Sequence, residues 1–306
     1  MLVWLGWPIG CVLILVFMFV TCSTVGHDKG QDPNSRFVVL EFKQVSVPDS
    51  LITTKSRANY KIENYWRYFD FSDTAYIHLP EITEQALVDY LDLFPESRKE
   101  VIDLSLHHLL RQCIVNDKTG KMYNYFLEEL KNYLYHPNSP FRNDEYYMPV
   151  LEFVLQDTLS TEGTKSRAAF NLEMMHKNRK NEIATDFKYT TYGGDVGNLY
   201  NLKTEYTILN FYDPQCGACR ITSYHIQASR IVNKMLENKQ INVLAMYLDE
   251  DMELWKSHQM KIPIGWINGR DEKQTIRANQ IYDIRALPSL YLLDKDKKVL
   301  LKDVNM

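Results

Sequence analysis

Two cysteines separated by two small residues, Cys216-Gly217-Ala218-Cys219, stand where one hydrophobic period gives way to another, and this junction restricts the fold more than any average does. Before them, Thr207-Ile208-Leu209-Asn210-Phe211-Tyr212 is a short apolar run of the kind buried on both faces of a sheet. After them, Ile221, Tyr224, Ala228, Ile231 and Met235 recur at spacings of 3, 4, 3 and 4, a helical stripe. Val243-Leu244-Ala245-Met246-Tyr247-Leu248 is a second strand-like run. Ser289-Leu290-Tyr291-Leu292-Leu293 and Val299-Leu300-Leu301 flank Asp294-Lys295-Asp296-Lys297, a hairpin with a polar turn. Strand, helix, strand, helix and terminal hairpin predict an α/β domain with a central mixed sheet over residues 184–306.

A C-x-x-C that leaves a strand and opens a helix suits thiol chemistry. At a helix N-terminus the unpaired N–H groups and the positive end of the dipole stabilise an anion, so Cys216 is the expected nucleophile. Cys219, one turn further in, is set to attack the mixed disulfide that Cys216 makes and so release the product. Zinc is the rival reading, but a structural site needs four ligands and only His225 stands near as a third candidate. An inert clip is the other rival; closing so short a loop stabilises little.

The first half of the chain reads differently. Residues 2–22 hold 17 apolar residues in 21 and no charge, a run long enough to cross a bilayer. Three fates stay open: a cleaved signal with Thr24 and Gly26 at the small positions, a retained anchor, or a lipoprotein signal whose Cys22 is acylated. A signal usually opens with Lys or Arg, and here none precedes Lys29. Residues 23–36 read as a polar linker, and Phe37-Val38-Val39-Leu40-Glu41-Phe42 as one short strand. From about Asn64 to Asn181 the period is helical. Ser97 with Glu100 forms a capping box ahead of Val101, Leu104, Leu109 and Cys113. Met122, Phe126, Leu130 and Tyr133 make another stripe, and further helices are expected over Glu145–Leu159 and Lys165–Lys177. The fold class is therefore α+β overall: an all-α domain at 37–183 followed by the α/β domain. The 306 residues carry 35 basic and 39 acidic side chains, net −4, with no basic stripe in either half, so nucleic acid is not an expected partner.

Phe211-Tyr212-Asp213-Pro214-Gln215-Cys216-Gly217-Ala218-Cys219 resembles the active-site stretch of thioredoxin-fold proteins, and Leu287-Pro288-Ser289-Leu290-Tyr291-Leu292-Leu293-Asp294 resembles their cis-proline strand. The 72-residue gap between Cys216 and Pro288 is similar to that of cell-envelope thiol:disulfide interchange proteins of the TlpA type. Ala184-Thr185-Asp186-Phe187 followed by Gly193-Gly194 resembles the leading hairpin of that class. In the helical half, Tyr65-Trp66 with Phe69-Asp70-Phe71, the stretch Tyr133 to Pro140, and Lys177-Asn178-Arg179 resemble an uncharacterised helical domain found before thioredoxin-like domains in Gram-negative envelope proteins. The resemblance implies that a cis Pro288 packs beside the sulfurs while the adjoining backbone pairs with substrate. It also exposes two departures: the buried acid six residues before the first cysteine is Asn210 here, and the Glu three residues after the second is Thr222. Asp213 is a substitute base or, before Pro214, a turn former. The chain ends soon after the last strand, so the closing helix of the fold is expected to be shortened or absent.

The function this implies is a thiol:disulfide oxidoreductase of the cell envelope, facing the periplasm and held at the membrane through its N-terminus. It would act on thiols or disulfides of exported proteins, draw on an upstream electron donor and need no cofactor. The direction expected is reduction, because the Gly217-Ala218 pair holds no cation or His. The alternative is an envelope binding protein whose helical domain recognises a partner, with the thioredoxin fold as scaffold. Among other residues, Cys113 on its apolar stripe reads as core, and adjacent His107 and His108 face different ways. The tyrosines at 123, 125, 133 and 135 either line a groove or pack against the next domain. Trp255 and Trp266 belong in the α/β core or beside the site.

Overall fold

The structure, a computed structural model, describes residues 41–303. The apolar run 2–22, Cys22, the linker 23–36 and most of the strand expected at 37–42 lie outside the described residues. Glu41 and Phe42 themselves are in no strand; Phe42 instead stacks on Tyr65, ring centres 5.0 Å apart. Among the described residues no helix is long and apolar enough to cross a membrane.

The helical half consists of α1 (Thr54–Asn64), α2 (Thr83–Leu91), α3 (Lys99–Asn116), α4 (Lys121–Leu134), α5 (Asp144–Gln156) and α6 (Glu162–His176), with short 3-10 turns between. α1, which precedes the segment expected to be helical, starts where the Thr53 hydroxyl accepts the Ser56 N–H at 3.1 Å. Asn143 caps α5, and Thr161 caps α6 three residues ahead of the expected start. α5 stops three residues early because the Asp157 carboxylate takes the N–H groups of Leu159 and Ser160 and turns the chain. Aromatic rings fill the centre: Trp66 meets Phe126 at 5.2 Å and Phe69 and Tyr90 at 5.5 Å, all edge-on, each such pair adding about 1 kcal/mol beyond its burial. Cys113 is fully buried, as core.

The capping box expected at Ser97 does not form. Arg98 is the N-cap of α3, without a side-chain bond. The Ser97 hydroxyl donates instead to Asn59 Oδ1 at 2.6 Å, and that same oxygen accepts the Arg98 N–H at 3.0 Å. A side chain from α1, 39 residues away, thus serves the start of α3.

The second half follows as β1 (Lys188–Thr191), β2 (Val196–Asn198), β3 (Tyr206–Tyr212), α7 (Gly217–Ala228), α8 (Arg230–Glu237), β4 (Ile241–Tyr247), α9 (Met252–Ser257), β5 (Ile267–Arg270), α10 (Thr275–Ala278), β6 (Ser289–Asp294) and β7 (Val299–Lys302). They form a mixed sheet in the order β2-β1-β5-β4-β3-β6-β7. β3 runs parallel to β4 and antiparallel to β6. The fold class is as expected, and Gly194, at φ +88°, turns the β1–β2 hairpin in a backbone region that favours glycine.

The stripe expected on one helix after Cys219 is not buried. Ile221 and Ile231 are 59% and 74% exposed, and Tyr224 is exposed as well. Ser229 ends α7 and caps α8, so the helix breaks there and its phase is lost. Ile226, Val232 and Leu236 face inward instead, against Val243 and Leu290. The cap shared between helices gives a direct test: Asn59→Ala should lower unfolding free energy by about 1 kcal/mol in denaturant titration, and an unchanged midpoint would remove Asn59 from the account of α3.

Candidate functional site

The site lies at the carboxyl end of β3, the edge of an α/β sheet where loops are free to carry chemistry. Burial on both faces drives β3: Leu209, Phe211 and Tyr212 are all buried. Its two neighbours decide what comes near. β4 ends level with it, Tyr212 opposite Tyr247. β6 begins level with it, Phe211 opposite Ser289, which brings Pro288 back to Cys216. The Leu287–Pro288 peptide is cis.

Cys216 is the N-cap of α7, and its sulfur accepts the Cys219 N–H at 3.1 Å. The thiol donates to the Leu287 carbonyl at 3.5 Å. Cys216 is half-buried, with Gly217 and Ala218 exposed beside it. Cys219, 2% exposed, packs with Tyr212, Ala245, Tyr247 and Trp255, with Leu287 and Trp266 against the same cluster. Burial above all, then the Cys216 thiol beside it, pushes the Cys219 thiol up to about 12. Both cysteines are unbridged. The three residues singled out at 216, 219 and 288 are therefore brought together, while Cys22 falls outside the described residues.

Asp213 makes the turn: its Oδ1 accepts the Gln215 N–H at 2.6 Å, and its carbonyl accepts the Cys216 N–H at 3.1 Å. Its negative charge also helps hold the Cys219 thiol protonated. Asn210 is buried, and neither side-chain atom has a hydrogen-bond partner among the described residues. Trp255 is buried and Trp266 half-buried. Sequence reasoning missed Asn268, whose Oδ1 accepts from Tyr212 Oη at 2.8 Å and Trp255 Nε1 at 2.9 Å while its amide donates to Gln259 at 2.7 Å. It also missed half-buried His258, whose ring lies 5.9 Å from that of Tyr212. Burial, then Lys261, holds this imidazole below its usual range, against the opposing charge of Asp213. Neither lies in a motif that sequence spacing would flag. Among the described residues no three His, Cys, Asp or Glu side chains gather as a metal site.

Of the paired tyrosines, Tyr123 is buried and donates to Asp157, and Tyr133 donates to Glu84 at 2.5 Å. Tyr135 stacks on Tyr147, its ring centre 5.1 Å away, and lies under Arg285 of the sheet half.

A family profile, Domain of unknown function (DUF5106), matches residues 21–178. The chain is similar to a thioredoxin-like protein from Bacteroides caccae, 37% identical over 87% of this chain and 95% of that one, with a TM-score of 0.82. It is also similar to the C-terminal domain of an uncharacterized protein from Bacteroides fragilis, 40% identical over 42% of this chain and 92% of that one, TM-score 0.41. A further similarity is to the thioredoxin domain of a thiol-disulfide oxidoreductase from Bacteroides vulgatus, 18% identical over 42% and 90%, TM-score 0.38. Among curated proteins none matches.

The contrast between the two thiols is open to measurement. With a thiol near 12, Cys219 holds a thiolate fraction of about one in ten thousand at pH 8, rising tenfold per pH unit. Mass spectrometry after brief iodoacetamide treatment of reduced protein at pH 8 should find Cys216 alkylated and Cys219 not. Equal labelling of the two would contradict the geometry.

Proposed function

We propose that this chain, which belongs to the DUF5106 family over residues 21–178 and groups with thioredoxin-like proteins over most of its length, is a thiol:disulfide oxidoreductase of the cell envelope that reduces disulfides of exported proteins through Cys216 and Cys219. The observation that carries the reading is the Cys219 N–H held 3.1 Å from the Cys216 sulfur at the start of α7. That contact and its half-buried place at a helix start make Cys216 the attacking sulfur, while burial keeps its partner protonated.

In this reading the Cys216 thiolate attacks one sulfur of a substrate disulfide. The substrate S–S bond breaks, a Cys216–substrate disulfide forms, and the departing thiolate takes a proton. Cys219 then loses its proton and attacks the Cys216 sulfur; the mixed disulfide breaks and the second substrate thiolate leaves. Two electrons pass to the substrate and a Cys216–Cys219 disulfide remains, which an upstream dithiol donor must reduce. Pro288 and the Leu287 carbonyl border the sulfur where the substrate chain would lie.

Asn210 and Thr222 have no proton-accepting charge, so another group must receive the proton of Cys219. Asp213 is the acceptor in this account, supported by its electrostatic influence on both Cys219 and His258. Placement in the envelope is supported by the apolar run 2–22, with Cys22 as a lipid attachment point, and by the compartments in which protein disulfides persist. The domain limits belong to the same proposal: signal peptide or membrane anchor 1–22, linker 23–36, mostly helical domain 37–183 and thioredoxin-like domain 184–306.

Insulin reduction by the full chain tests the reading. Cys216→Ser should abolish it, and Cys219→Ser should accumulate a mixed disulfide visible on a non-reducing gel. Activity retained in Cys216→Ser would overturn the assignment. Asp213→Asn should slow release of that mixed disulfide by on the order of a hundredfold in quenched-flow measurements; an unchanged rate would exclude Asp213 as proton acceptor. A wild-type chain inactive in thiol exchange that binds an envelope component through 37–183 would favour the scaffold alternative.

A further inference from the structure

Between α10 and β6, residues 279–288 form no helix or strand, yet they end at the Leu287 carbonyl that touches Cys216. Irregular backbone of this length does not hold its own position. The sheet half holds part of it: Tyr282 is buried in that core, with Ile281, Ile284 and Leu287 packed against it, and its hydroxyl donates to the Thr185 carbonyl at 2.7 Å. The helical half holds it from the other side, where Asn178, just past α6, donates to the Ile281 carbonyl at 2.7 Å. Arg285 lies over the ring of Tyr135, 4.5 Å from its centre. It also donates to Asp144, the first residue of α5, at 2.6 Å and forms an ion pair with Asp283 at 3.0 Å.

The cluster is enclosed. Asp283 is 3% exposed and Lys302 is 8% exposed. Lys302 pairs with Asp144 at 3.2 Å and donates to the carbonyls of Met175 and Lys177 at the end of α6. Burial works against the charge on Asp144, but Arg285 and Lys302 outweigh it and hold the carboxyl below its usual range. Removing one member of such a group leaves the others charged and unmatched out of water, so the arrangement has one low-energy geometry. Arg285 is two residues from Leu287, and its Nη2 reaches both carboxylates, so its place between them and the Tyr135 ring fixes where that backbone starts.

We propose that Asp144 of the helical half is a positioning residue for the thiol site, fixing through Arg285 the Arg285–Pro288 backbone against which a polypeptide substrate lies next to Cys216. The inference rests on the oxidoreductase reading and adds a task for the helical half: it sets the substrate-facing edge of the site from within the same chain. A polypeptide disulfide needs that edge; a small disulfide needs only the sulfur.

The experiment compares insulin with dithiobis(nitrobenzoate), a small aromatic disulfide, using the full chain and variants checked for folding by thermal melt. Asp144→Asn should raise KM for insulin about tenfold with kcat within about twofold, because displacement of a substrate-positioning edge costs on this scale or more. Its reaction with dithiobis(nitrobenzoate) should match wild type. Arg285→Lys, which keeps the charge but loses the planar guanidinium over Tyr135, should shift insulin KM in the same direction by less, and it carries the test if Asp144→Asn does not fold. Insulin KM unchanged in a folded variant, or equal losses with both probes, would overturn the positioning role. A wild type that reduces neither probe would overturn the oxidoreductase reading itself.

Discussion

The antiparallel pairing of β6 with β3 is the constraint on which the site depends. Phe211 opposite Ser289 closes a gap of 78 residues and sets the segment before β6 against the first turn of α7. The parallel pairing of β4 on the other side ends at the same level, so Tyr247 and the segment leading to Trp255 form the floor under Cys219. Register is strictly held because one residue of slip would send Leu209 and Phe211 to the face that Ile208 and Tyr212 fill, mismatching both cores. The strands therefore set the level of the two sulfurs, while the edge at Leu287 also depends on the helical half.

That frame gives two chemically identical side chains opposite surroundings. Cys216 has a backbone donor and partial access to solvent, and Cys219 has apolar neighbours and a thiol that keeps its proton. A reducing dithiol needs this asymmetry: the outer sulfur attacks while the inner one waits, and the inner one acts only when a base is at hand. The polar group beneath, Asn268 with Tyr212, Trp255 and Gln259, contributes no charge to the floor and satisfies its own donors.

Much of this was legible in the sequence. The strands around Cys216 follow from local period, and Pro288 from its resemblance to the cis-proline strand of thioredoxin-fold proteins. What was not legible is long-range. The start of α3 depends on Asn59 from another helix, so a local motif at Ser97 misled. The spacing of Ile221, Tyr224 and Ile231 shows a face but cannot say which side is covered, and the break at Ser229 sends that face outward. Asp144 and Arg285, 141 residues apart, carry no pattern that joins them. Contacts of this kind arise from packing two halves together, and a single sequence encodes them only through the finished fold.

The central claim is that Cys216 and Cys219 form one working dithiol couple. Equilibration of the protein with glutathione or dithiothreitol buffers, followed by mass analysis of alkylated peptides, tests it most directly. The account predicts a single two-electron transition linking Cys216 to Cys219, at a potential below that of protein disulfide isomerase, about −180 mV. Contradiction would come from cysteines that form no reversible bridge, or from a couple near the strongest periplasmic oxidants, about −120 mV.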